Sequence, residues 1–481
     1  MNKIKVLIFA MVVGVSVSCE PDFLNPDPGP NAAISGENFP ADNDDLNLLL
    51  NSIYDELKGV NGLEFTDTSL NHGIQREFYI TEMLSDNTRS KSGEAGEASQ
   101  SDFFQILSTN GFVADNYRSM YSIINRDNLT LENLDVAINE QRAQIESEAR
   151  FMRAYAYFNL VRLYGDIPLV LETLNPNDLE IQFTRIASSQ VYDVIIEDFE
   201  FAIDNLNEST NRYRANIPAA QGLLAKVYLT LGTNYTEAQS LLESIINSEV
   251  YSLEPNFKDV FFTEANSETI FSVGYLNDNS QNSQDFSAEM LNSVGRSSGQ
   301  NYLTNDMIEV MTAFGGNRNE FSFRVDPAQI SQTQVIKYLP NGDEDLGIAP
   351  TGTNPRLAGN DWIVLRYADV LLMHAEAILA GGQSTTSTNA IASVTLVRER
   401  AGLVDPLVEV TNENLLLERR VELAFENQRW FDLQRFGVAQ EVLSAFSASI
   451  GGAFTATDLL LPIPQFEINL SNGAMEQNPG Y

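Results

Sequence analysis

The sequence predicts a mainly α fold, built of stacked helical hairpins with long loops and a few short strands. Apolar residues at helical spacing recur along most of the chain after residue 40. The helix predicted for residues 141–164 is apolar around most of its circumference, so it needs neighbours on more than one side. The hairpin pattern of residues 219–247 recurs at 366–401, which favours a solenoid-like scaffold.

The N-terminus has the layout of a secretory signal peptide, predicted for residues 1–18. Lys3 and Lys5 precede an almost continuous apolar run, which is too short to span a bilayer as a mature helix. Small residues then lead to Cys19, the single cysteine of the chain. This site resembles a bacterial lipobox, although Ser16 stands where leucine is usual. We therefore predict lipidation at Cys19, the alternative being an ordinary buried thiol.

Residues 19–40 are predicted to be a lipidated tether. The segment from Glu20 to Pro30 contains four prolines and three acidic residues, so it cannot form a helix. Glu20 and Asp22 resemble the acidic export signal that takes some lipoproteins to the outer face of the outer membrane. Residues 41–481 are predicted to form one domain, attached to the membrane through the lipid anchor only.

Helix signals begin directly after the tether. Residues 42–45 provide an N-cap and first-turn acids for a helix over 46–57. Further helices are predicted at 113–136, 141–164, 189–206 and 411–436. The polar stretch from Ser85 to Asp102 is predicted to be a long surface loop. Short strands are predicted at 269–275 and 334–338, within a loop-rich insertion at about 250–360.

Residues 219–247 are the clearest repeat unit. Residues 225–232 are followed by Tyr235-Thr-Glu-Ala238, and this pattern resembles a tetratricopeptide hairpin. Residues 366–380, a Gly381-Gly382 break and a second helix at 388–401 repeat the layout. The scaffold is therefore predicted to be tetratricopeptide-like.

Composition narrows the ligand class. The chain has 29 Lys and Arg against 66 Asp and Glu, a formal charge of −37, which argues against nucleic acid and favours a neutral ligand. One cysteine and two histidines are too few for a usual zinc site, and no cofactor is predicted. His374 lies in a predicted buried helix and is interpreted as a core residue.

Four segments together resemble the SusD/RagB family of outer-membrane nutrient-binding lipoproteins. They are residues 148–170 (EARFMRAYAYFNLVRLYGDIPLV), 366–377 (RYADVLLMHAEA), 418–437 (ERRVELAFENQRWFDLQRFG) and the C-terminal LLPIPQFEINLSNGAMEQNPGY. The resemblance implies a lipid-anchored protein on the extracellular side of the outer membrane, which covers a TonB-dependent (SusC-like) transporter. It also implies an oligosaccharide or polysaccharide ligand and no catalytic residues.

In that family the binding platform comes from the loop after a Ser-Asp pair, here Ser85-Asp86, and from inserted loops near 275–320. Neither loop contains a tryptophan, and Trp362 and Trp430 are predicted to be core residues. The candidate glycan-binding residues in these loops are Asn87, Arg89, Tyr275, Phe286, Arg296, Asn301 and Tyr302. Tyrosine and phenylalanine rings can stack on sugars, although each of these residues could instead be a packing residue.

Two other sequence patterns each allow a functional and a structural interpretation. Glu422 and Glu426 fall on one face of the predicted 411–436 helix, where they could act as the acid/base pair of a glycoside hydrolase. The neighbouring arginines favour a structural charge network instead. The loop 341–347 has oxygen ligands at spacings that could hold Ca²⁺, but an ordinary solvated turn is preferred. Three functions follow: a glycan binder that is not an enzyme, a surface binder of peptides or another nutrient, and a hydrolase.

Overall fold

The computed structural model describes residues 39–60, 73–90, 96–174, 179–291, 301–326, 329–340, 342–349 and 354–481. The predicted signal peptide and Cys19 lie outside these residues. The described part is mainly helical, as predicted. Within it, no helix combines the length and the apolar character that crossing a membrane requires.

The secondary structure alternates long helices with very short strands. The helices up to residue 250 are α1 (Asn43–Lys58), α2 (Glu97–Asp102), α3 (Gly111–Glu132), α4 (Asn139–Tyr164), α5 (Leu179–Phe183), α6 (Ser188–Asn205), α7 (Ile217–Leu231) and α8 (Tyr235–Asn247). Those that follow are α9 (Phe257–Phe262), α10 (Phe286–Glu289), α11 (Asn305–Phe314), α12 (Asn319–Ser322), α13 (Tyr367–Leu379), α14 (Thr388–Arg400), α15 (Asn412–Glu422), α16 (Arg429–Arg435), α17 (Ala439–Ile450) and α18 (Gln465–Leu470).

The strands form antiparallel pairs. They are β1 (Thr88–Arg89), β2 (Ile167–Pro168), β3 (Arg185–Ile186), β4 (Thr269–Val273), β5 (Tyr302–Leu303), β6 (Phe323–Asp326), β7 (Gln329–Val335), β8 (Trp362–Arg366), β9 (Ser384–Thr385) and β10 (Val410–Thr411). β1 pairs with β5, β2 with β3, β4 with β8, β6 with β7 and β9 with β10.

The first helix, predicted over 46–57, begins at Asn43 and is capped by Asp42, one of the predicted cap residues. The Asp42 side chain accepts hydrogen bonds from the backbone N–H groups of Asp44 and Asp45, at 2.9 and 3.0 Å. These bonds satisfy donors that the first turn of a helix leaves free. α1 then buries one apolar stripe: Leu46, Leu49, Leu50, Ile53 and Leu57.

α4 is the central helix and packs between α3 and α6. Every residue from Phe151 to Val161 is buried, which agrees with the apolar character of the whole circumference. The helix ends at Gly165, whose φ of 71° lies in the left-handed region that favours glycine. The sequence prediction for this element is confirmed.

The predicted helical hairpins are α7–α8 and α13–α14. α8 packs against α13, so the two hairpins are stacked on one another. Gly222 of α7 lies at a close crossing, where an added Cβ would come within 2.5 Å of the Leu365 side chain. The small residue there is required by the packing of the helix against β8. His374 of α13 is buried and its Nδ1 lies 2.8 Å from the Ser393 hydroxyl, as expected for a core histidine.

The insertion at about 250–360 is more ordered than a set of loops. It contains α9 to α12 and β4 to β7, and β4 pairs with β8 in the register Val273 with Trp362. The strand predicted at 269–275 is therefore present as Thr269–Val273. The strand predicted at 334–338 overlaps β7, which ends at Val335.

The helix predicted at 411–436 is two helices. α15 and α16 are separated by residues 423–428, in which Phe425 and Asn427 have positive φ values of 67° and 58°. Phe425 is fully buried, and the break turns Glu426 toward the buried Arg366. Tertiary packing therefore overrides a continuous helical pattern.

The stretch 85–102 is not a surface loop where it is described. Ser85, Asp86, Asn87 and Thr88 are buried, and residues 97–102 form α2. The polar residues are tolerated inside because they have partners: Asp86 pairs with Arg429 at 2.8 Å and with Arg420 at 3.0 Å. The sequence pattern, polar and rich in small residues, gives no indication of these distant arginines.

Candidate functional site

The pairing of β1 with β5 brings together three of the predicted site residues. Arg89 lies opposite Tyr302 in the register, and Asn301 directly precedes β5. The Arg89 guanidinium lies 5.6 Å from the centroid of the Phe103 ring, just beyond α2. We call Arg89, Asp102, Phe103, Asn301 and Tyr302 the β1–β5 patch. Residues more than 200 positions apart in the sequence thus form one cluster, in which Arg89, Phe103 and Tyr302 are partly exposed and Asp102 and Asn301 are buried.

The patch contains partly exposed rings. Tyr302 and Phe103 are partly exposed, whereas most aromatic rings of the scaffold are buried. Burial raises the pKa of Tyr302, with Arg89 lowering it and Asp102 raising it, so the phenol remains a neutral hydrogen-bond donor. Partly exposed rings of this kind can stack on the apolar face of a sugar.

Asp102 is the buried carboxyl group of the patch. Both of its carboxylate oxygens accept the backbone N–H of Ser90, each at 2.8 Å. Burial raises the pKa of Asp102 to about 7, and Ser90 and Arg89 only partly oppose this effect. The carboxyl group therefore titrates near neutral pH. Below this pH it is protonated and can donate a hydrogen bond, and above it the carboxylate can only accept.

The patch also has unused hydrogen-bonding capacity. Asn301 is 1% exposed, yet neither its amide nitrogen nor its amide oxygen has a partner. The Nε of Arg89 is likewise buried without a partner. Unsatisfied buried polar groups are rare in folded proteins, and a hydroxyl-rich ligand or ordered water would satisfy them.

Asn87 supports the patch from below rather than facing it. It is fully buried; its Nδ2 donates to Glu82 at 3.0 Å and its oxygen accepts from Arg420 at 2.9 Å. Its amide is thus already occupied in holding α15 against the 82–88 segment. In this arrangement the buried Asn87 amide supports β1, and its role in binding stays a prediction.

Two other predicted residues lie away from the patch, in the core. Phe286 is 1% exposed and packs edge-on against Tyr275, Tyr338 and Trp362, with centroids 5.3 to 6.1 Å apart. Tyr275 is also buried, and its hydroxyl donates to the Lys58 carbonyl at 2.8 Å. The Phe286 ring therefore has no exposed face for stacking, whereas Tyr275 borders a cavity. Trp362 and Trp430 are buried as predicted.

The remaining predicted residues, Arg296 and Cys19, lie outside the described residues, so their roles stay predictions. Sequence reasoning did not identify Phe103 and Asp102. Asp102 ends the stretch that is predicted to be a polar loop and Phe103 directly follows it, and only the pairing of β1 with β5 brings them beside Tyr302. Their positions depend on contacts between distant segments.

A cavity of about 450 Å³ lies near Tyr275 and was also not predicted. Its wall comes from the end of α1, from Tyr213, from β4 and from Asp361. The Asp361 carboxylate accepts the Tyr213 hydroxyl at 2.9 Å and the Tyr275 N–H at 3.1 Å. Burial raises the pKa of Asp361 to about 6. The size of this cavity is within the range of small-molecule sites, about 300–1,000 Å³.

Glu422 and Glu426 form the structural charge network that the sequence favoured. Arg366 contacts Glu422 at 2.6 Å, Glu426 at 2.7 Å and Glu268 at 2.7 Å, and all four side chains are buried. Burial would raise the pKa of Glu422, but Arg400, Arg366 and Arg318 outweigh it and lower the pKa. A general acid needs the opposite shift. These two glutamates are therefore scaffold residues.

In the described part of this loop, residues 342–347, the Asp343 carboxylate is used internally. Asp343 pairs with Arg324 and accepts the backbone N–H groups of Asp345 and Leu346, at 3.0 and 3.2 Å. Among the described residues, no group of three or more His, Cys, Asp or Glu side chains is arranged to hold a metal ion. The arrangement fits the turn that was preferred over a calcium loop.

Comparisons with known proteins agree with the fold. A model of the SusD family matches residues 293–481, and a model described as starch-binding associating with outer membrane matches residues 49–229. "SusD-like protein P2" of Formosa agariphila is 27% identical over 431 residues, which cover 81% of this chain and 85% of the relative. A SusD-like protein of Bacteroides ovatus is 24% identical and covers 69% of this chain and 66% of that protein.

Solved structures show the same architecture. A laminarin binding SusD-like protein superposes with a TM-score of 0.74 at 24% identity, covering 92% of this chain and 100% of that chain. Surface glycan-binding protein A from Bacteroides thetaiotaomicron, in complex with laminarihexaose, gives 0.73 at 21% identity, with 90% and 99% covered. The helical hairpins, the paired short strands and both matched segments lead to one conclusion: the chain belongs to the SusD/RagB family.

Proposed function

We propose that this protein captures oligosaccharides or polysaccharide fragments at the cell surface and delivers them to a TonB-dependent outer-membrane transporter. One observation carries the proposal. The β1–β5 pairing places a partly exposed tyrosine, an arginine and an unpartnered amide side by side on the helical scaffold. Stacking rings and directional hydrogen bonds are what recognition of a neutral sugar requires.

The relatives support this ligand class. Two solved structures of the same fold carry names that state laminarin binding or a bound laminarihexaose. For the present chain we infer binding of a glycan, without choosing the sugar or its linkage. We treat residues 41–481 as one binding unit that is tethered to the extracellular face of the outer membrane through lipid on Cys19.

We further infer that the protein binds its ligand without cleaving it. The only carboxylate pair that the sequence offered as an acid/base pair, Glu422 and Glu426, is buried among arginines and a lysine. A substrate cannot reach these groups without unfolding the network. Delivery to a transporter, rather than hydrolysis, is the role that such a binder supports.

Affinity electrophoresis tests the proposal. The purified protein is run in native gels that contain individual plant, algal or microbial polysaccharides, and reducing ends are measured after long incubation. We expect retardation by at least one polysaccharide and no release of reducing ends. Binding of a peptide mixture with no retardation by any glycan would overturn the proposal in favour of a peptide binder. Steady release of reducing ends would overturn the non-catalytic part.

A further inference from the structure

A larger cavity, of about 600 Å³, lies between the end of α4 and the C-terminal segment of the chain. We call it the C-terminal cavity and define it by Arg162, Arg185, Tyr192, Phe431, Gln434 and Arg435. It shares no lining residue with the β1–β5 patch. Its volume is within the range of small-molecule sites, about 300–1,000 Å³.

Arg162 lies in the wall of this cavity without a carboxylate partner. Its guanidinium is held between two rings, 4.0 Å from the centroid of Phe158 and 3.9 Å from that of Phe431. Its hydrogen bonds go to neutral groups, the Phe158 carbonyl at 3.2 Å and the Asn159 side chain at 2.7 Å. Glu77 is near enough to interact electrostatically with it, but the two form no ion pair. The positive charge is therefore positioned by rings and not neutralised.

Arg185 is a second arginine with only neutral partners. It donates to the Asp166 carbonyl at 2.7 Å, to the Glu476 carbonyl at 2.9 Å and to the Asn478 side chain. The Asp166 carboxylate accepts the backbone N–H of Ser188 instead. Most buried arginines in the described part of the chain are paired with carboxylates, and Arg435 in the same wall is paired with Glu376 and Asp432. Arg162 and Arg185 are exceptions to that pattern.

The wall also offers neutral donors and an aromatic face. The Nε2 of Gln434 is buried and has no hydrogen-bond partner. Burial raises the pKa of Tyr192 to about 12, so its hydroxyl stays protonated beside Arg162. Tyr192 and Phe431 add two rings to the lining. The cavity thus combines two arginines whose hydrogen bonds go to neutral groups, an amide donor, a hydroxyl and a partly aromatic wall, and Asp166 and Glu476 also line it.

We propose that the C-terminal cavity binds a carboxylate-bearing sugar, such as a uronate residue of an acidic glycan. A carboxylate pairs with guanidinium groups through short, charge-assisted hydrogen bonds, and the rings and amide suit the sugar ring. A neutral sugar would leave both arginine charges unpaired in a partly buried wall, which is unfavourable. The inference that the ligand is a sugar rests on the proposed function, whereas the inference that it carries a negative charge rests on the arginines of the cavity.

The test uses the purified full-length protein and isothermal titration with galacturonate, with galactose as the neutral analogue and sodium sulfate as the simple anion. The key variant is Gln434→Glu, which keeps the side-chain shape and adds a carboxylate to the cavity wall. Because Nε2 of Gln434 has no partner, the substitution removes no hydrogen bond. The added charge repels the ligand carboxylate and competes for the arginines, so we expect galacturonate binding to weaken by at least about tenfold.

The matched control is Gln440→Glu, which makes the same charge change on an exposed residue of α17. Tyr192→Phe is a second variant, which removes only a hydroxyl group. It should weaken the binding of galacturonate by up to about tenfold, which is the contribution of one hydrogen bond. Thermal melts confirm that each variant is folded. Tyr302→Ala separates the two sites, because it should impair binding at the β1–β5 patch and leave galacturonate unaffected.

We expect the parent to bind galacturonate and not galactose. Galacturonate binding should be weaker in Gln434→Glu and Tyr192→Phe and unchanged in Gln440→Glu. Equal binding of galactose and galacturonate would overturn the proposal, as would galacturonate affinity that Gln434→Glu and Tyr192→Phe leave unchanged. Sulfate that binds as tightly as galacturonate would overturn the sugar assignment. Loss of neutral-glycan binding in Tyr302→Ala with galacturonate binding intact would support a second, independent site.

Discussion

The Phe286→Ala substitution removes a ring that packs against three other aromatic side chains in the interior. Phe286 is 1% exposed, and its centroid lies 5.3 Å from that of Tyr338, 5.4 Å from that of Trp362 and 6.1 Å from that of Tyr275. All three contacts are edge-on, a preferred geometry for aromatic pairs. Alanine would leave a cavity that this rigid cluster cannot fill. The loss should therefore appear in stability rather than as a lost ligand contact.

The magnitude follows from the burial. Phe→Ala changes in a core cost about 3–5 kcal/mol, through lost apolar transfer and the cavity that remains. For a folded unit of about 440 residues, the entropy of unfolding is about 0.9 kcal/mol per kelvin, at about 2.1 cal/mol per kelvin for each residue. The melting temperature should thus fall by about 3–5 °C. A matched change at Phe314, which is 46% exposed, removes little buried area.

Differential scanning calorimetry on the parent, Phe286→Ala and Phe314→Ala measures this difference. Titration with the best glycan found by electrophoresis measures any effect on binding. We expect a clear drop in melting temperature for Phe286→Ala, little change for Phe314→Ala, and near-parental glycan affinity for both. A Phe286→Ala protein that melts like the parent but binds glycan weakly would refute the reasoning. Phe286 would then act as a ligand-stacking residue.

Three further predictions concern the charge network, the buried aspartate and the anchor. Arg366→Met leaves Glu422 and its neighbours without their shared cation and should lower the free energy of unfolding by about 3–5 kcal/mol, whereas exposed Arg142→Met should be nearly neutral in the same urea titration. Burial would raise the pKa of Asp86, but Arg420 and Arg429 outweigh it and lower the pKa to about 2. A lowered folded-state pKa stabilises the protein above the unfolded value, near pH 4, and the contribution is lost as the pH falls to about 2. Asp86→Asn should therefore cost about 2 kcal/mol at pH 7 and much less at pH 2; a cost independent of pH would contradict this account. Cys19→Ala should move the protein from the membrane pellet to the soluble fraction, and retention in the pellet would exclude the lipid anchor.

The helical scaffold could be predicted because its signals are local. The Asp42 cap, the apolar circumference of α4 and the glycine at its end are each visible within a few turns of sequence. The break between α15 and α16 could not be predicted in this way. It depends on Phe425 and Glu426 reaching partners on β8 and elsewhere in the core, which no local pattern records.

The candidate site, too, could be predicted only in part. Arg89, Asn301 and Tyr302 were selected from loop composition, and the structure brings them together through β1 and β5. Asn87, Tyr275 and Phe286 have the same residue types in equally polar surroundings, yet distant contacts place them in the interior. Residue type in a loop indicates which chemistry is present. Long-range pairing decides which side chains are exposed: Arg89 and Tyr302 are partly exposed, whereas Asn301 is as buried as Phe286.

The central claim is that the β1–β5 patch binds glycan, and a titration of Tyr302→Ala tests it most directly. The parent, Tyr302→Ala and Phe466→Ala are titrated with the glycan that retards the parent in gels; Phe466 is a 51% exposed ring in a different part of the chain. Loss of one stacking ring should cost about 1 kcal/mol or more, which is at least about fivefold in affinity, with an unchanged melting temperature. The account predicts this loss for Tyr302→Ala and parental affinity for Phe466→Ala. Parental affinity in Tyr302→Ala, with the loss found in Phe466→Ala instead, would contradict it.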